Sequence, residues 1–213
     1  MNTRTLLFSA LFSANALWAQ LQAPLDLPIP RKVGGRPLME ALALRSTSRD
    51  FDTQDLPVQQ LSDLLWAAFG INRPDGRRTA PSAKNNQEIE LYVLLKQGTY
   101  RYQAKAHRLD PVAPADLRSF AGLQAFVKDA PVTLVLVADL SKVGGGTLEQ
   151  QKEWCHLDGG YISQNIYLYC ASTGLATGAR VYVDKAALAS RLSLRSDQLI
   201  LLAQSVGVPG KPR

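Results

Sequence analysis

A nearly continuous apolar run, Val132 to Ala138, is the feature that most constrains the fold of this chain. The run has the length of a strand, and it lacks the polar–apolar alternation of a strand with one face in water. It therefore predicts a central strand that is covered on both faces. Since other segments have the apolar spacing of amphipathic helices, the sequence predicts an α+β sandwich with helices packed on a sheet.

The remaining elements are predicted from the spacing of apolar residues and from the residues that end each segment. Gly70 is placed to end one helix, and Gln97-Gly98 is placed to join two strands as a hairpin. No repeat and no internal boundary interrupts the pattern, so residues 36–213 are predicted to form one domain. Helices are predicted at 38–45, 58–69, 115–127, 148–173 and 185–192, and strands at 89–95, 99–103, 179–183 and 199–206.

Residues 1–19 have the pattern of a secretory signal peptide. Arg4 supplies the positive start, the stretch from Leu6 to Leu17 is mostly apolar, and small residues precede Gln20. We expect cleavage after residue 19, with cleavage after residue 16 as the alternative. The apolar stretch is shorter than the roughly 20 residues that span a bilayer, so no stable membrane insertion is expected after cleavage. The pattern predicts an exported protein, most simply in the bacterial periplasm.

The composition is that of a globular domain rather than of a nucleic-acid-binding protein. Hydrophobic residues make up 46% of the chain and charged residues 20%. The net charge of +6 is spread along the sequence without a Lys/Arg run or a nucleic-acid-binding motif, so we expect no DNA or RNA partner. Residues 20–35 contain several prolines and are predicted to form an extended N-terminal segment.

Two cysteines, Cys155 and Cys170, lie in the longest predicted helix. Fifteen residues of helix separate them by about 22 Å, whereas a disulfide requires Cα atoms within about 7 Å. We therefore expect two free, partly buried thiols. Neither has the flanking residues of a metal site.

The segment Arg78–Gln87 (RTAPSAKNNQ), here called the PSA loop, combines a cation, hydroxyls, a proline, carboxamides and small residues. Small residues let a planar ligand approach the backbone, and carboxamides donate and accept hydrogen bonds along its edge. A fused heteroaromatic ring such as a flavin would suit this combination of side chains. The alternative is an ordinary polar loop that precedes a strand.

The segment Arg45–Phe51 (RSTSRDF), here called the arginine segment, carries two cations four residues apart. A helical turn or its fraying end would place Arg45 and Arg49 on one face. Two converging guanidinium groups suit a phosphate, because each binds oxyanions through two parallel hydrogen bonds. Ser46 and Ser48 would add hydroxyl donors. The alternative is a solvated pair of surface charges.

These two segments resemble the "RxSxRxF" and "PSAxNxQ" elements of the FMN-dependent nitroreductase family. Three later stretches agree in order and spacing, and the resemblance covers roughly residues 36–213. They are Asp158–Leu168, similar to "DxGxxxQNxxL"; Gly174–Thr177, similar to "GLxT"; and Val206–Arg213, similar to an "xGxP" ending with a basic tail. Residues 61–71, Tyr100–Tyr102 and His107 look most like the SagB-type dehydrogenase branch.

The resemblance implies an FMN cofactor, a small-molecule substrate and a nitroreductase-like three-layer sandwich with a central mixed sheet. It also implies a homodimer whose interface contains the long helix, where Gly159 and Gly160 would allow close packing. The implied phosphate-binding residues are Arg45, Ser46, Arg49, Lys211 and Arg213. Those implied at the flavin ring are Pro81, Ser82, Ala83, Asn85 and Gln87, together with Leu175, Ala176 and Thr177. The backbone N–H groups of Ala176 and Thr177 would lie near the reactive nitrogen.

The implied activity is hydride or electron transfer between bound flavin and a small organic molecule, such as a nitro, quinone or azoline-like compound. Because the flavin carries this chemistry, no catalytic side chain is required. His156 is a weak catalytic candidate, and His107 has either a catalytic or a structural role. The alternative function is a flavin-binding carrier or sensor without turnover. The electron donor is left open, since an exported protein would meet little NAD(P)H.

Overall fold

The computed structural model describes residues 23–210. The predicted signal peptide therefore lies outside the described residues, as do Lys211 and Arg213. The helices are α1 (Leu38–Leu44), α2 (Val58–Phe69), α3 (Leu148–Thr173) and α4 (Lys185–Arg191). The strands are β1 (Leu25–Asp26), β2 (Ile89–Leu95), β3 (Gly98–Gln103), β4 (Arg108–Ala113), β5 (Val132–Asp139), β6 (Ala176–Arg180) and β7 (Gln198–Gly207).

The seven strands form one sheet in the order β1-β4-β3-β2-β5-β7-β6. All the pairings within residues 23–210 are antiparallel, so the expected mixed sheet is wrong for these strands. The reason lies in where β7 is placed. Strands β5 and β6 precede and follow α3 along the chain and run in the same direction, as in a strand–helix–strand crossover. Strand β7 lies between them and is antiparallel to both, so no parallel pair forms.

Strand β5 is buried along its whole length, which confirms the prediction from its apolar run. Leu134 and Leu136 face a core shared with α2 and α3. Val135 and Val137 face a second core that includes Leu188 of α4. Helices therefore cover both faces of the sheet, and the predicted three-layer α+β sandwich is confirmed.

Helix α3 begins and ends as its sequence predicts. At its start the Thr147 hydroxyl accepts from the Gln150 amide, and the Gln150 side chain accepts from the Thr147 amide. At its end Gly174 takes the left-handed conformation, with φ of 77°. Cys155 and Cys170 are buried free thiols, as expected. No helix within residues 23–210 combines the length and apolarity that crossing a bilayer would need.

The helix predicted at 115–127 is wrong. This stretch forms two short 3-10 turns, Arg118–Phe120 and Ala125–Lys128. Between them the Ala121 carbonyl accepts a 2.7 Å hydrogen bond from Arg180 Nε. The guanidinium of Arg180, a residue distant in sequence, thus occupies a carbonyl that would accept a backbone hydrogen bond in an α-helix.

One predicted strand begins at a different residue, and another strand was not predicted. Strand β6 begins at Ala176 instead of residue 179, and Val181 and Tyr182 beyond it are exposed. Strand β4 was missed, because Pro111 argues against a strand; only the two residues of β1 pair along its outer side. The other predicted helices and strands are confirmed to within a residue.

Candidate functional site

The arginine segment runs along the free edge of β6. The Ser48 amide donates to the Thr177 carbonyl at 2.8 Å. Because the N–H and C=O of one strand residue point to the same side, the Thr177 N–H also faces this edge, while the Ala176 backbone faces β7. Of the two amides predicted to serve a ligand, the structure therefore places only that of Thr177 on the open edge.

Gly178 allows the arginine segment to lie this close. A Cβ atom built on Gly178 would stand 2.6 Å from the Ser48 carbonyl oxygen and 3.4 Å from Thr47 Cγ2. The first contact is to backbone and cannot be relieved by a side-chain rotation. Gly178 was not singled out in the sequence, because nothing local distinguishes it from any other strand glycine.

The two arginines do not share a helical face, which corrects the reason for pairing them. Helix α1 ends at Leu44, and Arg45 at its C-terminus is already extended, with ψ of 119°. Serine and threonine compete with helical hydrogen bonds through their side chains, and the Ser48 hydroxyl accepts from the Asp50 amide at 3.3 Å. The strand edge, not a helix, therefore positions Arg45 and Arg49.

Tyr167 of α3 contacts both the arginine segment and strand β6. Its ring centre lies 5.4 Å from the Arg45 guanidinium. Its hydroxyl accepts from the Ala179 amide at 2.9 Å and lies 3.0 Å from Thr47 Oγ1. No carboxylate within residues 23–210 forms an ion pair with Arg45 or Arg49. Ser46 and Arg49 are exposed. Both guanidinium groups are therefore outside any ion pair of the described residues, while Asp50 of the same segment offsets part of their charge.

The end of the described chain meets the same segment. Phe51 forms a bridge with Pro209, and the Asp52 amide donates to the Val208 carbonyl at 2.9 Å. The Gly210 amide donates to the Asp50 carbonyl at 3.2 Å. The chain thus reaches residue 210 beside the arginine segment. Four of the five sequence motifs therefore meet here, since Tyr167 belongs to the motif on α3.

The PSA loop is held in an unusual backbone conformation. Its 3-10 turn, Ala83–Asn85, contains two left-handed residues, and Gln87 is a third, with φ of 54°, 57° and 50° for Lys84, Asn85 and Gln87. For Lys84 and Gln87 this conformation costs roughly 1–2 kcal/mol each, whereas asparagine adopts it more readily. Two anchors hold it: the Ala83 amide donates to Asp158 Oδ2 at 2.8 Å, and the Gln87 amide donates to Ser82 Oγ at 3.0 Å.

The two predicted carboxamides differ in availability. Gln87 Oε1 accepts from Arg78 Nε at 2.8 Å, and Gln87 Nε2 donates to the Gly76 carbonyl and to Asn85 Oδ1. Its side chain is therefore committed to the loop. Asn85 is exposed, as is Pro81, and the side-chain nitrogen Nδ2 of Asn85 has no hydrogen bond to another residue of the described chain. Arg78 stacks on Phe69 at 4.2 Å, and burial lowers the pKa of Arg78.

A buried carboxyl, Glu88, lies under the PSA loop and was missed in the sequence, where it reads as the polar start of a strand. It is 1% exposed. Burial is the main cause that raises the Glu88 pKa to about 7, and the adjacent Asp158 adds to the rise. Burial next to these acids also raises the pKa of the Cys155 thiol to about 12, so the thiol stays neutral.

The two segments attach to α3 at separate points. The PSA loop is bonded to Asp158 and the arginine segment to Tyr167. Nine residues of helix place these points about 13 Å apart along the axis. No hydrogen bond joins the two segments within the described part of the chain. A groove of about 410 Å³ between α1, α2 and α3 includes Asn165 and Leu168, and none of the predicted flavin-binding residues lines it.

The histidines lie elsewhere. His107 is half-buried, and its ring nitrogens lie 2.7 Å from Ser62 Oγ and 2.9 Å from Tyr102 Oη, which favours its structural role. His156 is exposed, with Nδ1 2.7 Å from the Lys152 carbonyl. It faces a groove beside α4 and β7, which also contains none of the predicted flavin-binding residues.

Comparison with known proteins identifies the family. The profile of the nitroreductase family matches residues 42–208. A protein assigned as a nitroreductase from Methanocaldococcus jannaschii is 29% identical over 150 residues, covering 66% of this chain and 76% of its own length.

Solved structures agree. A crystal structure assigned as a nitroreductase from Ralstonia eutropha JMP134 is 40% identical with a TM-score of 0.86, covering 90% of this chain and 92% of its own. A more distant structure, assigned as an NAD(P)H:FMN oxidoreductase from Staphylococcus epidermidis, shares the fold at 15% identity and a TM-score of 0.63, covering 86% of this chain and 92% of its own. The chain belongs to the nitroreductase family and is an oxidoreductase by that membership.

Proposed function

We propose that this protein is an exported FMN-dependent oxidoreductase that acts on a small organic molecule. The observation that carries the proposal is the edge of β6, where two arginines without carboxylate partners lie beside the outward Thr177 N–H. A cofactor with a phosphate at one end and a ring needing a hydrogen-bond donor at the other matches that edge. The family membership supports the same cofactor.

The phosphate end of FMN fits the arginine segment. Arg45 and Arg49 are the guanidinium donors, and Ser46 is exposed beside them. Lys211 and Arg213 follow Gly210, which is bonded to this segment, and we include them as further cations. No acid within residues 23–210 holds either guanidinium in an ion pair, so both are available to an external dianion.

The ring end fits the PSA loop and the start of β6. Asn85 presents an exposed carboxamide, Ser82 and Ala83 present small side chains, and Gln87 holds the loop. The Thr177 amide is the donor that would stabilise negative charge on a reduced ring. The chemistry that FMN supplies when bound is hydride and electron transfer, whereas these residues bind and orient it.

We further propose a homodimer in which each flavin site takes the arginine segment from one subunit and the PSA loop from the other. The separate attachment of the two segments along α3 supports this arrangement. The outer face of α3 supports it too: Leu157 is 60% exposed, Tyr161 is 49% exposed, and a Cβ on Gly160 would meet only open space. Gly159 packs instead against Leu201 of its own sheet.

The proposed cofactor is a single compound, FMN, whereas the proposed substrate is a class of small acceptor molecules. A nitro, quinone or azoline-like acceptor suits flavin chemistry, and the SagB-type branch stays a prediction from the sequence. Export rests on residues 1–19 alone. A mature N-terminus at Gln20, or at Leu17, by mass spectrometry of the secreted protein would support it, and an intact Met1 would contradict it.

The test is whether the protein binds and uses FMN. The purified protein should be yellow, denaturation should release FMN, and the reduced protein should pass electrons to quinone or nitroaromatic acceptors. FMN binding without turnover on any acceptor would favour the carrier or sensor function. A colourless protein that takes up no added FMN would overturn both.

A further inference from the structure

Glu88 has no conventional partner for its side chain. Both carboxyl oxygens are buried, and neither accepts a hydrogen bond from a donor within residues 23–210. The neighbour of Glu88 is the Asp158 carboxyl, which acts on the Glu88 pKa both by its charge and as a hydrogen-bonding group. Two carboxylates are both acceptors, so they can bond to each other only when one of them carries a proton.

The geometry assigns that proton to Glu88. Asp158 Oδ2 accepts a 2.8 Å hydrogen bond from the Ala83 amide, so this carboxyl already serves as a hydrogen-bond acceptor. Glu88 receives no such bond from another residue within residues 23–210 and is almost fully buried. Burial outweighs the opposing effect of the backbone amide of Glu88 itself and favours the neutral form of the carboxyl.

The other groups around Glu88 do not supply a counter-charge. On α3 these are Asp158 and the neutral Cys155 thiol. Lys142, after β5, attracts the charged form of Glu88. Its ammonium is shared, however, between Glu90 at 2.9 Å and Asp139 at 3.3 Å.

We propose that Glu88 is a positioning residue for the flavin site: its neutral carboxyl donates to Asp158, which in turn holds the Ala83 amide and thus the PSA loop. Loss of the Glu88 proton to solvent leaves two adjacent buried carboxylates, whose repulsion releases Asp158 from the loop. Flavin affinity therefore falls as pH rises through neutrality. The effect on flavin rests on the proposed function, whereas the proton on Glu88 does not.

The first arm of the test uses ligand-free protein. The infrared band of a protonated carboxyl, taken as the difference between wild type and Glu88→Gln, should be present at pH 6 and lost by pH 8.5. Absence of the band at pH 6 would overturn the proposal whether or not FMN binds. Should Glu88→Gln fail to fold, carbon-13 NMR titration of the wild-type carboxyls supplies the same readout.

The second arm measures the FMN dissociation constant between pH 6 and pH 8.5. Over this range the FMN affinity of the wild type should fall about tenfold relative to that of Glu88→Gln. The comparison is needed because a phosphate monoester itself titrates near pH 6, which affects both proteins alike. Glu88→Gln keeps a neutral donor and should restore binding at high pH, whereas Glu88→Leu should bind weakly throughout.

Asp158→Asn provides a second variant, since it keeps an acceptor for the Ala83 amide and removes the second charge. Its profile should follow that of Glu88→Gln. Parallel profiles for wild type and Glu88→Gln would overturn the positioning role. No FMN binding by either at any pH would refute the proposed function and the coupling, leaving the infrared arm to decide the proton on Glu88.

Discussion

At the scale of single residues, the positive charge of the arginine segment is left without carboxylate partners. Replacing Arg45 or Arg49 by alanine should weaken FMN binding by about 2–4 kcal/mol each, since the phosphate would lose a charge-assisted pair of hydrogen bonds. Fluorescence titration with FMN measures the change. Lys128→Ala removes an exposed cation on another turn and should leave affinity unchanged. Unaltered affinity in both arginine variants would exclude this segment as the phosphate site.

Glu88 gives a second prediction at this scale, in the free energy of unfolding. Its pKa is raised from 4.5 to about 7 in the folded state, so the native protein holds a proton that the unfolded chain releases. Stability should therefore fall as pH rises from about 4.5 to about 7, by roughly 3 kcal/mol. Urea unfolding across this range should show the slope in wild type and lose it in Glu88→Gln. An identical slope in both would mean that Glu88 does not titrate there.

At the scale of elements, the contact between β6 and the arginine segment depends on a missing side chain. Gly178→Ala would press a methyl group against the Ser48 carbonyl, so the segment must move away from the strand edge. FMN affinity should fall at least tenfold, a loss of about 1.4 kcal/mol, with a lower melting temperature. Gly144→Ala, where a Cβ meets open space, is the matched control and should change neither. Normal FMN affinity in Gly178→Ala would separate this contact from the site.

Elements with strong local patterns were predictable from the sequence, and elements decided by distant contacts were not. The apolar run of β5, the two-residue turn between β2 and β3, and the capping residues of α3 act locally. The stretch 115–127 does not form the predicted helix, and Arg180, distant in sequence, donates a hydrogen bond to the Ala121 carbonyl there. The antiparallel sheet follows from β7 entering between β5 and β6, which no local pattern signals.

The same distinction applies to the candidate site. Arg45 and Asn85 were predicted because their residue types suit a phosphate and a ring edge, and Thr177 because the family resemblance implied it; their roles toward a flavin stay predictions. Glu88, Gly178 and the anchoring role of Tyr167 were missed, because each matters only through a neighbour that folding brings close. Gln87 was assigned to the ligand, whereas its carboxamide bonds the loop itself.

At the scale of the whole molecule, the outer face of α3 is the proposed dimer contact. Gly160→Trp should lower dimerisation and flavin content together, because the side chain has room in a single subunit but not against a second backbone. Light scattering and the flavin-to-protein absorbance ratio measure the two. Lys128→Trp, on the exposed turn Ala125–Lys128, should affect neither. A Gly160→Trp dimer with full flavin would place the interface elsewhere.

The most direct test of the central claim is a complementation experiment between two damaged subunits. Arg49→Ala lacks part of the phosphate side, and Asn85→Ala lacks part of the ring side. If each site takes one side from each chain, the heterodimer has one intact site and one doubly damaged site. Purified heterodimers carrying two different tags should then bind FMN at wild-type affinity in half of their sites. A heterodimer without a wild-type site, or a monomer that holds FMN stoichiometrically, would contradict the shared site.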